Sequence, residues 1–169
     1  MNKPMLAFYA AVAIACAAID QWIKWLVVAE MDLHERIDLV PFFSLYHTRN
    51  TGIAFSFLSG FNDTVMLVLT IAVMIFIGWL AASTERGQHF ARSGFALIIG
   101  GALGNIFDRA TLGYVVDYFL FYTEGWSFAV FNLADAFITV GAGLVILQEL
   151  LDWRRGSRRQ PDDQPPADG

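Results

Sequence analysis

Two aspartates stand in otherwise oily sequence near the ends of hydrophobic runs: Asp117 in Gly-Tyr-Val-Val-Asp-Tyr-Phe and Asp135 in Phe-Asn-Leu-Ala-Asp-Ala-Phe. A carboxylate at the edge of a bilayer, or inside it, costs roughly 2.5–3.5 kcal/mol on insertion scales, so such residues are candidates for function and call for a partner. Each is the other's obvious candidate. If the loop after one span and the start of the next bring them together, they form an aspartyl pair in which like charge keeps one carboxyl protonated. The ionised member then takes a proton from water while the other polarises the carbonyl that the water attacks, which is peptide hydrolysis with neither a metal nor a covalent intermediate. Intramembrane acids also mark proton and ion pathways, and the residues alone leave that reading open.

Other polar groups cluster around them in the sequence. Asn132 precedes Asp135 by about one helical turn. Asp20 and Lys24 lie four apart, hence on one helical face, where their charges compensate each other; that structural reading leads, and the alternative is that the pair props a catalytic loop, with Asp20 or Gln21 behind it. In Arg49-Asn50-Thr51-Gly52 an amide with two donors and an acceptor sits beside a flexible glycine. An ordinary turn explains that segment as well as a substrate-holding role does. In the run Gly100-Gly101-Ala102-Leu103-Gly104-Asn105-Ile106-Phe107-Asp108-Arg109, Gly100 and Gly104 have the small-xxx-small spacing that lets membrane helices approach closely. Packing accounts for the glycines but not for Asn105, Asp108 and Arg109, which neighbour one another on the helix surface and must face the bundle interior or water.

The elements that position these groups follow from composition. With 56% hydrophobic and only 16% charged residues among 169, the chain is more apolar than a soluble domain, which runs at about 45–50% and about 25%. Four stretches approach the ~20 apolar residues a membrane helix needs, at about 5–28, 64–83, 93–112 and 131–151. The expected fold is an all-α membrane protein: a four-transmembrane-helix bundle, one integral domain over residues 1–155, with a disordered cytoplasmic tail over 156–169. The net charge of -5 draws on Asp162, Asp163 and Asp168 in that tail, and no nucleic-acid partner follows from it. Lys3, Arg86, Arg92, Arg154, Arg155, Arg158 and Arg159 would lie on one side, against Lys24, Arg36, Arg49 and Arg109 on the other. The positive-inside rule then makes both termini cytoplasmic. Residues 29–63 and 113–130, with Asp117 and the approach to Asp135, fall on the outer side near the membrane surface. Within the first of these, Leu39 to Phe57 is rich in aromatic and β-branched residues broken by Pro41 and Gly52, which predicts a small extracytoplasmic β-rich platform. Phe55, Phe57, Leu58 and Phe61 would dip into the interface as anchors or as a lid.

Competing chemistries find little footing. There is no HExxH, and His34, His47 and His89 are scattered, so they read as surface or interface residues and no metal site or cofactor is expected. A serine nucleophile usually needs a histidine base, and Ser93-Gly94 lies near the cytoplasmic face, away from the other polar groups. The lone Cys16 excludes an intrachain disulfide and reads as packing. Although Lys3 and the run ending Ala-Ile-Ala-Cys have the outline of a lipoprotein signal peptide, the apolar stretch continues past Cys16 to Ala29, so a retained helix is expected.

Taken in order, Asp20-Gln21-x-x-Lys24, Asn50-Thr51-Gly52-x-Ala54-Phe55-Ser56, Gly100-Gly101-Ala102-x-Gly104-Asn105-x-x-Asp108-Arg109, Val115-Val116-Asp117 and Phe131-Asn132-x-Ala134-Asp135 resemble the motifs of the bacterial lipoprotein signal peptidases, or signal peptidase II. The resemblance covers Asp20 to about Gly141; the ends, residues 29–41 and Thr123-Glu124-Gly125 carry nothing diagnostic. It implies a four-helix aspartyl endopeptidase of the bacterial inner membrane with Asp117 and Asp135 as its catalytic pair. Asn50, Asn105, Arg109 and Asn132 would hold the substrate or the inhibitor globomycin, and Asp20, Lys24, Gly52 and Asp108 would support them. The implied substrates are diacylglyceryl-modified prolipoproteins, cut just before the lipidated cysteine. Membrane lipids would surround the enzyme, and a monomer is the default. The rivals are the small ion or proton pathway, with Asp117, Asp135 and Arg109 as a relay, and a non-catalytic scaffold using the Gly100/Gly104 face.

Overall fold

A computed structural model describes residues 3–51, 63–85 and 87–157. Along the chain run α1 (Lys3–Glu30), β1 (Arg36–Val40), β2 (Phe43–Asn50), α2 (Asp63–Ser83), α3 (His89–Leu112), β3 (Val115–Phe121) and α4 (Leu133–Ser157). Three of the helices, over Pro4–Glu30, His89–Leu112 and Leu133–Arg155, are long and apolar enough to cross a membrane, and α2 contributes a shorter apolar run over Thr70–Ser83. Their polarity is turned inside out. Ile14, Trp22 and Trp25 on α1, Phe76 and Trp79 on α2, and Ile146 and Trp153 on α4 all point outward, whereas Asp20, Lys24, Asn105 and Asp108 are buried. A helix surrounded by lipid has no reason to hide its apolar side chains, and its ionised groups collect where they find partners.

Helix α3 packs against the other three helices. Glycine permits that crowding: a Cβ on Gly100 would collide with the backbone of Ala13 and with Cys16 on α1, one on Gly101 with the carbonyl of Ala134, and Gly94 and Gly141 press against each other's carbonyl oxygens. Gly104 faces a side chain, the carboxylate of Asp20.

At its end α3 closes on Gly113, whose left-handed φ of 80° lets its N–H return to the Arg109 carbonyl at 3.2 Å. The chain then enters β3. Asp117 was expected in a loop; it lies instead in a strand, because Val115, Val116, Tyr118 and Phe119 are β-branched and aromatic residues suited to a half-buried pleat. The sheet is antiparallel in the order β1-β2-β3. An irregularity between Leu45 and Thr48 resets the β2–β3 register so that Thr48 stands opposite Asp117 and Asn50 opposite Val115. Asn50 is therefore two residues along on the same face as Thr48, diagonal to Asp117 and within side-chain reach. Val27, Met31, Val116 and Tyr118 form the buried cluster joining the sheet to the end of α1.

His47 departs from the reading as a surface or interface residue. It is buried in the sheet with Nδ1 against the Met31 carbonyl at 3.0 Å, so it ties β2 to the end of α1. His34 and His89 are exposed. Helix α4 begins at Leu133, so Phe131 and Asn132 precede it, and it runs to Ser157, two residues into the stretch assigned to a tail. Gly52, the aromatic patch Phe55, Phe57, Leu58 and Phe61, and residues 158–169 lie outside the described residues.

Candidate active site

The site is built on the first turn of α4. A helix leaves its first four N–H groups without intrahelical partners, and here each finds one. Leu133 N–H donates to the Tyr118 hydroxyl oxygen (3.2 Å), Ala134 N–H to Asp20 Oδ1 (2.9 Å), Asp135 N–H to Asn132 Oδ1 (3.0 Å) and Asn132 N–H to Asp135 Oδ2, while Ala136 N–H makes the first intrahelical bond, to the Asn132 carbonyl (3.3 Å). Strand β3 and helix α1 thus clamp the end of α4 from outside while Asn132 caps it from within. Asp135 returns the bond, accepting from Asn132 N–H at 3.2 Å, which completes a reciprocal capping box. A carboxylate in that position lies where the positive end of the helix dipole favours negative charge.

Asp117 approaches from β3. Asn132 Nδ2 donates to its Oδ1 at 2.7 Å and Asn50 Nδ2 to its Oδ2 at 2.9 Å. The two aspartates therefore share one neighbour: Asn132 gives its side-chain amide to Asp117 and its main-chain N–H to Asp135. Asp117 is buried, at 2% exposure, and Asp135 is half-buried. Loss of hydration pushes the Asp117 carboxyl up to about 6; the hydrogen bonds from Asn50 and Asn132 oppose that shift, and the nearby charge of Asp135 adds to it. One carboxyl that holds its proton toward neutral pH, beside another in a different setting, is the asymmetry that acid–base chemistry by a carboxyl pair requires.

Beneath the pair lies a buried ionic cluster. Lys24 Nζ sits 2.8 Å from Asp20 Oδ2 and 2.9 Å from Asp108 Oδ2, and it donates to Asn105 Oδ1 at 2.8 Å. Asn105 Oδ1 also accepts from Asn132 Nδ2 (3.1 Å), and Asn105 Nδ2 donates to Asp135 Oδ1 (2.9 Å). Asp108 accepts from Val116 N–H at 3.1 Å, holding the start of β3, and from Gln21 Nε2 at 2.7 Å. Isolated ions here would be costly, and the closed set of partners is what makes them tolerable. The i,i+4 spacing of Asp20 and Lys24 indicated their pairing; Asp108, 84 residues from Lys24 in the chain, joins only through packing.

Of the expected site residues, Asp117, Asp135, Asn50, Asn105 and Asn132 converge, with Asp20, Lys24 and Asp108 directly beneath. Arg109 stands apart: half-buried in the last turn of α3, it makes a long 3.5 Å contact to the Asn105 carbonyl. Arg49 is exposed and lies over the Tyr114 ring, 4.7 Å from its centre. Tyr118 was missed as part of the site. It follows Asp117 directly, and neighbours in a strand point to opposite faces, so nothing in the residues themselves pointed to its contact with Leu133. No group of three or more His, Cys, Asp or Glu side chains among the described residues is placed to hold a metal ion.

Comparison with known proteins points the same way. The sequence pattern of the family described as Signal peptidase (SPase) II matches residues 12–151. The lipoprotein signal peptidase of Mesorhizobium japonicum is 56% identical over 147 residues, covering 87% of this chain and 88% of that protein. That of Brucella ovis is 54% identical over 144 residues, covering 85% and 90%. A solved structure described as a bacterial membrane enzyme superposes with a TM-score of 0.79 at 28% identity, covering 94% of this chain and 95% of the other, and a second of the same description gives 0.76 at 27%, covering 86% and 94%.

Proposed function

Because the chain belongs to the signal peptidase II family, and is a membrane aspartyl peptidase by that membership, we propose that it removes the signal peptide from diacylglyceryl-modified prolipoproteins, cutting before the lipidated cysteine with Asp117 and Asp135. The observation that carries the residue assignment is the shared Asn132, which tethers a buried carboxyl and a half-buried one to the same few atoms.

A water held between the pair is the nucleophile. Asp135, ionised at the α4 N-terminus, takes a proton from it as its oxygen bonds to the scissile carbonyl carbon, and Asp117 gives its proton to the carbonyl oxygen. The tetrahedral gem-diol collapses when Asp135 returns the proton to the departing nitrogen, the C–N bond breaks, and a gem-diol hydroxyl restores the proton to Asp117. Each carboxyl ends as it began. Burial makes Asp117 a proton donor near neutral pH, and the asparagines fix both carboxyls without supplying acid or base of their own.

The sheet and the α4 N-terminus lie at one end of the helices, and we place that end at the outer face of the bacterial inner membrane, with both termini cytoplasmic, by the lysine and arginine asymmetry. In this arrangement α2 is the fourth crossing. Substrate acyl chains would lie in the bilayer beside the bundle; at about 0.8 kcal/mol per buried CH₂ they anchor the substrate without a deep side-chain pocket for the signal peptide.

The test is cleavage of a diacylglyceryl-modified prolipoprotein by the purified protein in detergent, with and without globomycin, beside Asp117→Asn and the unlipidated substrate. Cleavage that requires the lipid and is stopped by globomycin and by the substitution supports the assignment. Cleavage that survives Asp117→Asn, or proton flux through liposomes without cleavage, overturns it.

A further inference from the structure

Asn105 is bonded on three of its four hydrogen-bonding sites, and the identity of one partner settles how it is turned. An ammonium group has only donors, so the amide atom 2.8 Å from Lys24 Nζ must be the oxygen. Asn132 Nδ2, also a donor, reaches that same oxygen at 3.1 Å. The amide nitrogen is thereby left to face Asp135 Oδ1, to which it donates at 2.9 Å. Turned the other way, the amide would set N–H against Lys24 and an oxygen against a carboxylate. Lys24 is locked in its turn by Asp20 and Asp108, with all three side chains almost fully buried.

We propose that Lys24 is a positioning residue for cleavage, acting through Asn105: it keeps the amide nitrogen pointed at Asp135 and so holds that carboxylate turned toward the substrate as proton acceptor. This rests on the assignment of Asp117 and Asp135 as the reacting pair. It separates Lys24 from a purely structural ion pair, because the connection runs Lys24 to Asn105 Oδ1, then across the amide to Asp135.

The discriminating variant is Asn105→Asp. It preserves the shape and an oxygen for Lys24, while replacing the donor that faces Asp135 with an acceptor. Cleavage of the lipidated prolipoprotein by this variant at neutral pH should fall about 100-fold in kcat with KM little changed, the size of one misdirected proton-transfer group. Relative to wild type at the same pH, activity should recover toward acid pH, where protonation of the new carboxyl restores a donor; a merely structural lesion would leave that ratio constant. The second variant is Lys24→Met with Asp108→Asn, which leaves the cluster's net charge unchanged while removing the ammonium together with one of its two carboxylate partners; the amide oxygen of the new side chain can still accept from Val116 N–H. It should also lose kcat about 10-fold or more while binding substrate normally. Wild-type kcat and pH profile in Asn105→Asp, or wild-type kcat in the charge-balanced double variant, would overturn the proposal. Wild-type enzyme and Asp135→Asn run in parallel keep the two questions apart: if Asp135→Asn cleaves normally, the reacting pair itself is misassigned.

Discussion

Asn132 and Asp135 cap each other, Asn132 Oδ1 accepting from Asp135 N–H at 3.0 Å and Asp135 Oδ2 accepting from Asn132 N–H at 3.2 Å. The helix start and one reacting carboxylate are thus the same piece of structure. Whatever fixes the N-terminus of α4, namely Asp20 from α1 and Tyr118 from β3, also fixes Asp135.

Asp117→Asn and Asp135→Asn should each lower cleavage by roughly 100-fold to 10,000-fold, the range expected when a general acid or base is removed, while the protein remains folded and inserted. Steady-state rates on lipidated substrate, with thermal unfolding in detergent as the check on folding, measure this. A near-normal rate in either variant refutes the pair.

The proton on Asp117 gives the enzyme an alkaline limb. Its carboxyl is pushed up to about 6 by burial, so as pH climbs past that value the free enzyme loses the acid it needs and kcat/KM should fall about tenfold per pH unit. Stability has the same sign: the folded state binds this proton more tightly than an unfolded chain, so the contribution is complete below about 4 and is lost as pH rises toward about 6. In Asp135→Asn the neighbouring negative charge is gone, and Asp117 should titrate lower. Carboxyl ¹³C shifts from labelled aspartate, read against pH in both proteins, would show whether it does.

Asn132→Ala removes the α4 cap and the amide that Asp117 leans on. Loss of the cap alone costs about 0.5–2 kcal/mol, and the unpartnered Asp117 oxygen adds to that. The expected result is a lower unfolding temperature together with a large drop in kcat. Asn132→Ser, which restores a cap and keeps the main-chain N–H to Asp135 but lacks the amide donor to Asp117, should recover stability more than activity. Equal recovery of both would mean that Asn132 matters only as a cap.

Gly104→Ala places a methyl group on the Asp20 carboxylate. Displacing Asp20 disturbs its bonds to Ala134 and Lys24 together, so the variant should lose about 1–3 kcal/mol, as overpacked sites do, and lose activity with it. Gly143→Ala is the internal comparison. Nothing lies within 4 Å of its added Cβ, and helix propensity favours alanine by about 0.5–1 kcal/mol. If the two behave alike in a thermal melt, Gly104 has no special relation to Asp20.

Much of this was legible in the residues themselves, because membrane helices are decided locally. About twenty apolar residues suffice to make one, and a carboxylate among them is conspicuous wherever it stands. That is why α1, α3 and α4, and the polar positions Asp20, Lys24, Asn105, Asp108, Asp117 and Asp135, could be picked out one by one. Strand β3 could not be read so easily. Its seven residues follow a helix at once, and an apolar run that short fits a loop, a strand or a span end equally well.

Tertiary structure alone decided which polar groups meet. The sheet register, reset between Leu45 and Thr48, brings Asn50 to Asp117 rather than to a neighbour. The close crossing of α3 with α1 brings Asp108 to Lys24, and the meeting of α1 with α4 brings Asp20 to Ala134 across 114 residues of chain. Buried charges accept few partners, so once the helices pack at their glycines the hydrogen bonds have essentially one way to close. The types of the reacting groups belong to the sequence, and their pairing belongs to the packing.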